Sequence, residues 1–515
     1  MKQILCLLLS GLLLLSCTAC ADWDELSVDP LQELSQYYQS ENESPAATEI
    51  TSFALPYYRG ETLDGVTCSD GIQQVVGALV YEGLFALDET FEPKNVLAES
   101  YQYDSTYCAY TIQLRSDVTF SDGSPLTAWD VAETLRRATT STRYKNRLSQ
   151  VDSIEAMGNS VIIFLKEAHG SFIRLLDIPI VKSGTETDNF PLGTGAYAVA
   201  KDDTGNYLAP NPNWWQNKRL PLTRIDLVPC KNTESANYSF IAQNVQLLCA
   251  DLIGIDAAPA DVSGTYTDAP GTVMQYLGFN GRNELLARSA VRRAISAAMD
   301  RSALINSYLL GHCRPAQFPI APESSLYPKA LETAYSQEAA NDAMEEAGLC
   351  TGTQQYPLRL LVNEENHFKC AAAEGIARSL NQYDLDVTVV ALPWDAYLNA
   401  LEQREFDLYY GEMRLSADWN SMSLIGCGGS KNYGELGNVI LDEELQSMLA
   451  ADNDQQRSLA MLQFCQEFQY SQFIAPICFK SVSVLVTKGA VDQITPTAAN
   501  PFYGLENWTV HLAES

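Results

Sequence analysis

The segment of this sequence best placed to do chemistry is Leu415–Asn420, which reads LSADWN and follows a predicted strand at Phe406–Tyr410. Ligands of open α/β sheets bind beyond the carboxyl ends of the strands. A carboxylate at such a place, here Asp418, can pair with a cationic ligand group, because a buried ammonium needs a hydrogen-bonded counter-charge. The alternative interpretation is an aspartate that caps the turn after the strand.

The sequence contains none of the catalytic motifs for which we searched. None of its four histidines has H-E-x-x-H spacing, and neither a G-x-S-x-G nucleophile motif nor a G-x-x-x-x-G-K-[ST] loop occurs. With 64 acidic residues, carboxylate pairs arise by accident. We therefore predict no catalytic residue, no cofactor, no metal site and no enzymatic activity. A nickel or haem site would require three histidines in one cleft, and the candidates are His169, His312, His367 and His511.

The charge of the chain limits its partners. Its formal net charge is −31, which becomes −32 without a leader that contains Lys2 and no acid. Such a surface repels phosphate backbones, so we expect no nucleic acid partner. Ten cysteines lie beyond the leader, and none has C-x-x-C spacing. The spacing therefore indicates neither a zinc ribbon nor a thioredoxin-like pair, and it leaves both disulfides and buried thiols open.

The N-terminus has the pattern of an exported lipoprotein. Lys2 precedes the apolar run Ile4–Leu15, which is too short to span a membrane. Small residues before Cys20 favour it as the acylated cysteine, with Cys17 as the alternative and a plain secretory peptide as the other possibility. Residues 1–20 are predicted as signal peptide and 21–48 as an acidic tether.

The elements that position a site begin with Tyr110–Ala138. Tyr110–Leu114 is predicted as a strand, and a Ser-Asp-Gly turn follows it. Thr127 and Asp130 form the T-x-x-D pattern of a helix capping box. The helical spacing places an apolar stripe on its inner face, made of Val131, Thr134, Leu135 and Ala138.

Further along, helix and strand patterns alternate. A helix is predicted at Glu338–Gly348, a strand at Leu358–Val362, a helix at Ala371–Leu380, a strand at Val387–Val390 and a helix at Trp394–Leu401. This rhythm favours an α/β fold with a mostly parallel sheet.

Several of these motifs together resemble one family. The string FSDGSPLTAWDV at 120–131 resembles the F-x-D-G-x-P-L-T-A-x-D-V segment of the family 5 extracellular solute-binding proteins, which serve ABC transporters. In the family's order follow PLGTGAY at 191–197 and VRRAISAAMDR at 291–301. The opening block LPYYRGETLDG also resembles the family, although Gly65 stands where proline is usual.

The resemblance implies a fold of two lobes, the first of which carries an extra subdomain. The fold class is α/β, periplasmic-binding-protein-like type II, with two lobes joined by two hinge strands. We expect lobe I at 49–70, 186–272 and 484–515, its extra subdomain at 71–185 and lobe II at 273–483. The hinge strands are expected near Thr272–Tyr276 and Phe479–Val484.

The resemblance also implies a site. In peptide-binding members an aspartate in an A-D-Y-N segment binds the peptide's α-ammonium, and Asp418, Trp419 and Asn420 occupy the matching places. Arg414 and Leu415 depart from the usual Gly-Trp. Arg414 would either pair with a ligand carboxylate or neutralise Asp418.

The function implied is a lipid-anchored monomeric receptor that delivers a peptide ligand to ABC-transporter permease subunits. It would lie on the extracellular face of the plasma membrane, or on the periplasmic side if two membranes are present. The alternatives are an oligosaccharide, a metal chelate or a signalling peptide bound by the same fold, a receptor that has lost transport and serves signalling, and, less favoured, a secreted hydrolase.

Overall fold

The computed structural model describes residues 50–257 and 264–513. These residues form nineteen strands and eleven α-helices. The predicted signal peptide and tether, with Cys17 and Cys20, lie outside these residues. The strands are β1 (Ala54–Tyr58), β2 (Phe85–Leu87), β3 (Pro93–Asn95), β4 (Ala98–Asp104), β5 (Ala109–Leu114), β6 (Val151–Met157), β7 (Ser160–Leu165), β8 (Tyr197–Asp202), β9 (Gly205–Pro210), β10 (Ile225–Cys230), β11 (Leu247–Ala250), β12 (Gly264–Phe279), β13 (Cys313–Pro315), β14 (Tyr356–Asn363), β15 (Leu385–Leu392), β16 (Leu408–Arg414), β17 (Ile474–Thr487), β18 (Val491–Asp492) and β19 (Thr509–Val510). The helices are α1 (Gly71–Val80), α2 (Ala128–Thr140), α3 (Thr233–Ile241), α4 (Ser289–Ala297), α5 (Arg301–Tyr308), α6 (Gln337–Glu346), α7 (His367–Leu380), α8 (Trp394–Gln403), α9 (Met422–Ile425), α10 (Val439–Ala450) and α11 (Asp454–Ser471).

Three larger sheets organise these elements. One has four strands in the order β1-β10-β9-β8, and a second has the order β4-β5-β7-β6. The third has seven strands in the order β11-β17-β12-β16-β14-β15, with β13 also paired to β17. Within the described residues no helix is long and apolar enough to cross a bilayer.

The prediction of a mostly parallel sheet is wrong for the seven-stranded sheet. Only β14 with β15 and β14 with β16 pair in parallel, and the other pairs are antiparallel. The helix–strand rhythm produces the parallel part, because helical crossovers join parallel neighbours. Strands from other parts of the chain then complete the sheet in the opposite direction.

The two segments predicted as hinge strands lie inside β12 and β17. These strands run antiparallel with Val273 opposite Lys480 and Met274 opposite Phe479, and the register shifts between Ala269 and Val273. The pairing brings residues more than 200 positions apart side by side. Whether the chain bends here, and where the lobes begin and end, stay predictions.

The local prediction around α2 is confirmed. The Thr127 hydroxyl accepts from the Asp130 N–H, and the Asp130 carboxylate accepts from the Thr127 N–H, which completes the capping box. The predicted inner stripe is buried, at Val131, Thr134, Leu135 and Ala138. The preceding strand, β5, begins one residue earlier than predicted.

The PLGTGAY motif is a packing turn against the end of α1. A Cβ added to Gly193 would lie 2.1 Å from the Val80 carbonyl oxygen, and one added to Gly195 would lie 2.5 Å from that of Leu79. The Gly195 N–H donates to Val80 O at 2.9 Å. Glycine is therefore required here for close backbone approach.

Element boundaries differ from the predictions where distant partners intervene. Strand β16 is shifted to Leu408–Arg414, because its polar end pairs with β12. Helix α7 begins at His367, since the Asn366 side chain accepts from the Lys369 N–H as an N-cap. Helix α1 ends at Val80, where the extended backbone at Tyr81 stops it.

Candidate functional site

A large cleft of about 1570 Å³ contains most of the predicted site. One wall, which we call the first wall, comes from residues 63–220 and 495–507; the opposing second wall comes from Thr272 and residues 413–431. Small-molecule pockets usually measure about 300–1,000 Å³. This cleft is therefore large enough for a ligand of oligopeptide size.

Asp418 lies in the second wall and is buried. Its Oδ1 accepts from the Ser416 hydroxyl at 2.5 Å and from the Asn420 N–H at 3.3 Å. Its Oδ2 lies 3.2 Å from Nε2 of His169, whose side chain is only 5% exposed. Burial raises the pKa of the Asp418 carboxyl, but the adjacent imidazole of His169 and the two donors to Oδ1 outweigh this effect, and the pKa lies below its ordinary value.

Of the other predicted residues, Arg414, Leu415 and Asn420 line the cleft, whereas Trp419 does not. Arg414 is the last residue of β16, and its side chain is exposed. Leu415 is buried, and its backbone N–H donates to the Thr272 carbonyl oxygen at 2.9 Å. The side-chain oxygen of Asn420 accepts a hydrogen bond from the Met422 N–H. All three, like Asp418, line the cleft. They share the wall with Asp418, and their contact with a ligand stays a prediction.

Trp419 points away from the cleft into the core. It is 1% exposed and packs edge-on against Phe91 and Phe479, with ring centroids 5.1 and 6.0 Å away. Its indole N–H donates to the Ser324 hydroxyl at 3.1 Å. Its backbone has φ of +59°, a strained value for a bulky residue. The turn thus orients Asp418 towards the cleft while Trp419 anchors it.

The sequence named His169 only as one of four candidate metal-site histidines, and its contact with Asp418 was not predicted. Its backbone is fixed on both sides: the N–H donates to the Tyr103 hydroxyl at 2.9 Å, and its carbonyl accepts from the Tyr110 hydroxyl at 3.0 Å. The ring packs edge-on against Phe172. It therefore presents Nε2 from the first wall to Asp418 in the second wall, across 249 positions of chain (418 − 169 = 249).

Other contacts join the part of the chain before residue 221 to the part after Thr272. The Ser325 hydroxyl donates to Glu92 at 2.5 Å, and the Arg457 guanidinium donates to the carbonyl of Gly170 at 2.9 Å. A Cβ on Gly170 would lie 2.0 Å from the Ala451 carbonyl oxygen, so the backbones meet closely. The His169–Asp418 pair is thus one of several contacts between these two parts of the chain.

Arg147 adds positive charge near Asp418. It forms an ion pair with Asp177 in the first wall and lines the cleft. Burial lowers the pKa of Arg147 to about 10, although Tyr144 and Asp418 oppose that shift. The guanidinium remains charged at neutral pH and favours the ionised form of Asp418.

Glu82 is a half-buried acid that also lines the first wall. Its two oxygens accept from Thr194 at 2.8 Å, from the indoles of Trp214 and Trp215 at 3.1 and 2.8 Å, and from Gln216 at 2.7 Å. Burial raises the pKa of Glu82, which the four hydrogen bonds only partly oppose. A carboxylate has about four acceptor positions, so this group is saturated.

The described residues contain neither an assembled metal site nor a disulfide. Within 50–257 and 264–513 no group of three His, Cys, Asp or Glu side chains is placed to hold a metal ion. The ten cysteines of the described residues are all unpaired thiols.

Comparisons with known proteins agree with this arrangement. The model of the bacterial extracellular solute-binding proteins, family 5, matches residues 92–435, more than half of the chain. The glutathione-binding protein GsiB of Escherichia coli K12 is 27% identical over 311 residues, which are 56% of this chain and 60% of that protein.

Two solved structures share the fold. The oligopeptide-binding protein AppA of Bacillus subtilis, in complex with a nonapeptide, has a TM-score of 0.61 at 20% identity and covers 91% of this chain and 100% of its own. NikA of Brucella suis, in complex with Fe(III)-EDTA, has a TM-score of 0.71 at 18% identity and covers 89% and 99%. The predicted fold class, α/β of periplasmic-binding-protein-like type II, is confirmed. The chain belongs to the bacterial extracellular solute-binding proteins of family 5.

Proposed function

We propose that this protein is a receptor that binds a peptide in the cleft and delivers it to the permease of an ABC transporter. The observation that carries the proposal is the cleft of about 1570 Å³ between the two walls, with Leu415, Asp418 and Asn420 on one of them. A peptide laid between the walls would contact both and stabilise them against each other. The receptor has no catalytic role in this proposal.

The peptide's α-ammonium would bind to Asp418. The carboxylate is ionised, and Oδ2 has His169 as its present partner at 3.2 Å. An entering ammonium would share Oδ2 with the imidazole or replace it. Ligand arrival would then act directly on a contact between the two walls. Trp419 would hold the turn that presents Asp418, and Arg414 would meet a ligand carboxylate.

Binding would close the two lobes about the central strands of the large sheet. We propose the lobe boundaries given by the sequence, with movement at Thr272–Tyr276 and Phe479–Val484. The register shift after Ala269 interrupts the ladder next to these segments. A ligand shifts an open–closed equilibrium only by its differential affinity for the closed form.

The test is native mass spectrometry of the purified protein followed by scattering. We expect a bound peptide mass that disappears after denaturation and refolding. Adding the identified peptide back should reduce the radius of gyration. A refolded protein that binds no peptide would overturn the proposal. Identical scattering at saturation would overturn the closing motion alone.

The same experiment distinguishes the second candidate, a non-peptide solute. The structure that holds Fe(III)-EDTA shows that this fold accommodates a metal chelate. A recovered mass that contains metal or sugar in place of a peptide would favour that candidate.

The proposed location is the outer face of the membrane, with a lipid anchor at Cys20, or at Cys17. Labelled palmitate should enter the mature protein and be lost in Cys20→Ala. Label that survives this change but is lost in Cys17→Ala would move the anchor, and label that survives both would refute it. Pull-down of the permease subunits with the anchored protein tests the delivery step, and the receptor is expected as a monomer.

A further inference from the structure

The charged side chains around the cleft differ from those of the whole chain. The sequence has 33 basic and 64 acidic residues, about one base to two acids. The residues that line the cleft include six bases and five acids. The bases are Lys94, Arg143, Arg147, Lys218, Arg414 and Lys431. A cleft that sampled the chain at random would be acidic, whereas this one has a small excess of positive charge.

The acids of the cleft already have partners. Asp88 pairs with Lys94 at 3.0 Å, and Glu506 pairs with Lys218 at 2.6 Å. Asp177 pairs with Arg147, and Glu82 is saturated by four neutral donors. Asp418 has the imidazole of His169, and is the acid for which a ligand cation can compete most readily.

Three of the bases lack an acidic partner within the described residues. Arg414 and Lys431 are exposed on the second wall, and the Lys431 ammonium lies 3.5 Å from the Tyr433 hydroxyl. Arg143 donates to two backbone carbonyls of the first wall and lies over the Tyr144 ring at 4.8 Å. These charges face the space where a ligand would lie.

The position of Arg414 and Lys431 suits a carboxylate. Both belong to the wall that carries Asp418, where Arg414 ends β16 and Lys431 follows α9. A ligand whose ammonium meets Asp418 would extend along this wall. Ammonium and guanidinium groups form charge-assisted hydrogen bonds to carboxylates, which are stronger than neutral ones.

We infer that the ligand is an acidic peptide, with side-chain carboxylates in addition to its terminal one, and that Arg414 and Lys431 determine this preference. The inference rests on the proposed peptide-binding function. A chain with a formal charge of −31 repels anions at long range, so local positive charge in the cleft is needed to retain them. A neutral or basic peptide would leave these bases without partners.

The test compares two tripeptides of nearly equal shape, Ala-Glu-Glu and Ala-Gln-Gln, by calorimetry on refolded, ligand-free protein. We expect Ala-Glu-Glu to bind at least about tenfold more tightly at low salt, and its advantage to shrink in high salt because exposed charges are screened. Arg414→Gln and Lys431→Gln should each reduce the advantage by about threefold to tenfold. Neither change lies in the core, and circular dichroism checks that both variants fold.

Lys488→Gln is the matched control, since Lys488 is exposed and lies outside the cleft. It should leave the preference unchanged. Equal affinity for the two tripeptides, or an advantage that survives both cleft substitutions, would overturn this inference and leave the proposed function standing. Binding of neither tripeptide, with a non-peptide mass in the native spectrum, would overturn both.

Discussion

The contact between His169 and Asp418 makes a quantitative prediction about stability. The two side chains are 5% and 2% exposed, and Nε2 lies 3.2 Å from Oδ2. Leaving a buried group without one of its polar partners costs about 1–3 kcal/mol, and more where the group is charged. His169→Gln leaves Asp418 with the Ser416 hydroxyl and the Asn420 N–H, so we expect a loss in the lower part of that range.

A double-mutant cycle isolates the pair. We expect His169→Gln and Asp418→Asn each to lower the free energy of unfolding by about 1.5–3 kcal/mol, with a coupling energy of about 1–2 kcal/mol. The measurement is urea unfolding of ligand-free protein at pH 7, with tryptophan fluorescence and far-UV circular dichroism required to coincide. Losses that add to within about 0.5 kcal/mol would refute the pairing, because independent sites behave in that way.

The pH dependence has a definite sign. Since the folded-state pKa of Asp418 lies below its ordinary value, the ionised carboxylate stabilises the folded protein above the unfolded pKa of about 3.9. This contribution is lost as the pH falls through the folded-state pKa. Wild-type protein should therefore lose stability more steeply below about pH 4 than Asp418→Asn. Parallel curves would show that Asp418 does not gain from its partners.

Three further substitutions test the local structure. Glu82→Gln turns an amide N–H₂ towards two of four donors and should lower the free energy of unfolding by about 1–3 kcal/mol; an unchanged melting temperature would contradict the saturated carboxylate. Gly195→Ala places a Cβ against the Leu79 and Val80 backbone and should cost about 1–3 kcal/mol in the same assay, and a neutral result would show that the turn is not tightly packed. Thr127→Ala removes the α2 cap and should cost about 0.5–2 kcal/mol, whereas no loss would mean that the capping box contributes little.

Local features of this fold could be predicted from the sequence because short-range rules govern them. The capping box at Thr127 and the buried face of α2 follow from spacing alone. The stop at the end of α6 is marked by Gly348, whose φ is +76°. The family motifs then ordered such elements along the chain.

Features that depend on distant partners could not be predicted in this way. The polar residues Glu412 and Arg414 do not resemble a strand, yet they extend β16 because β12 pairs with them. The antiparallel strands of the large sheet are invisible in the helix–strand rhythm for the same reason.

The candidate site shows the same division. The prediction that Asp418 follows a strand agrees with the structure, where it lies in the turn beyond the end of β16 and lines the wall of the cleft. Neither the burial of Trp419 in the core nor the contact between His169 and the Asp418 carboxylate could be predicted from the sequence. His169 has no local motif, since its role depends on a contact across 249 positions (418 − 169 = 249). A buried polar residue with both backbone groups on tyrosine hydroxyls is recognisable only in three dimensions.

The role of Asp418 as the ammonium site is tested most directly by the affinity of Asp418→Asn for Ala-Glu-Glu and for its N-acetylated analogue, measured by calorimetry on ligand-free protein. The exposed Asp386→Asn is the matched control and should bind both peptides as the wild type does. Loss of a charge-assisted contact of about 1.5–3 kcal/mol should weaken the free-amine peptide by about tenfold to 150-fold and leave the acetylated peptide within about threefold. An equal loss for the two peptides would contradict the account, because Asp418 would then support the wall without binding the ammonium.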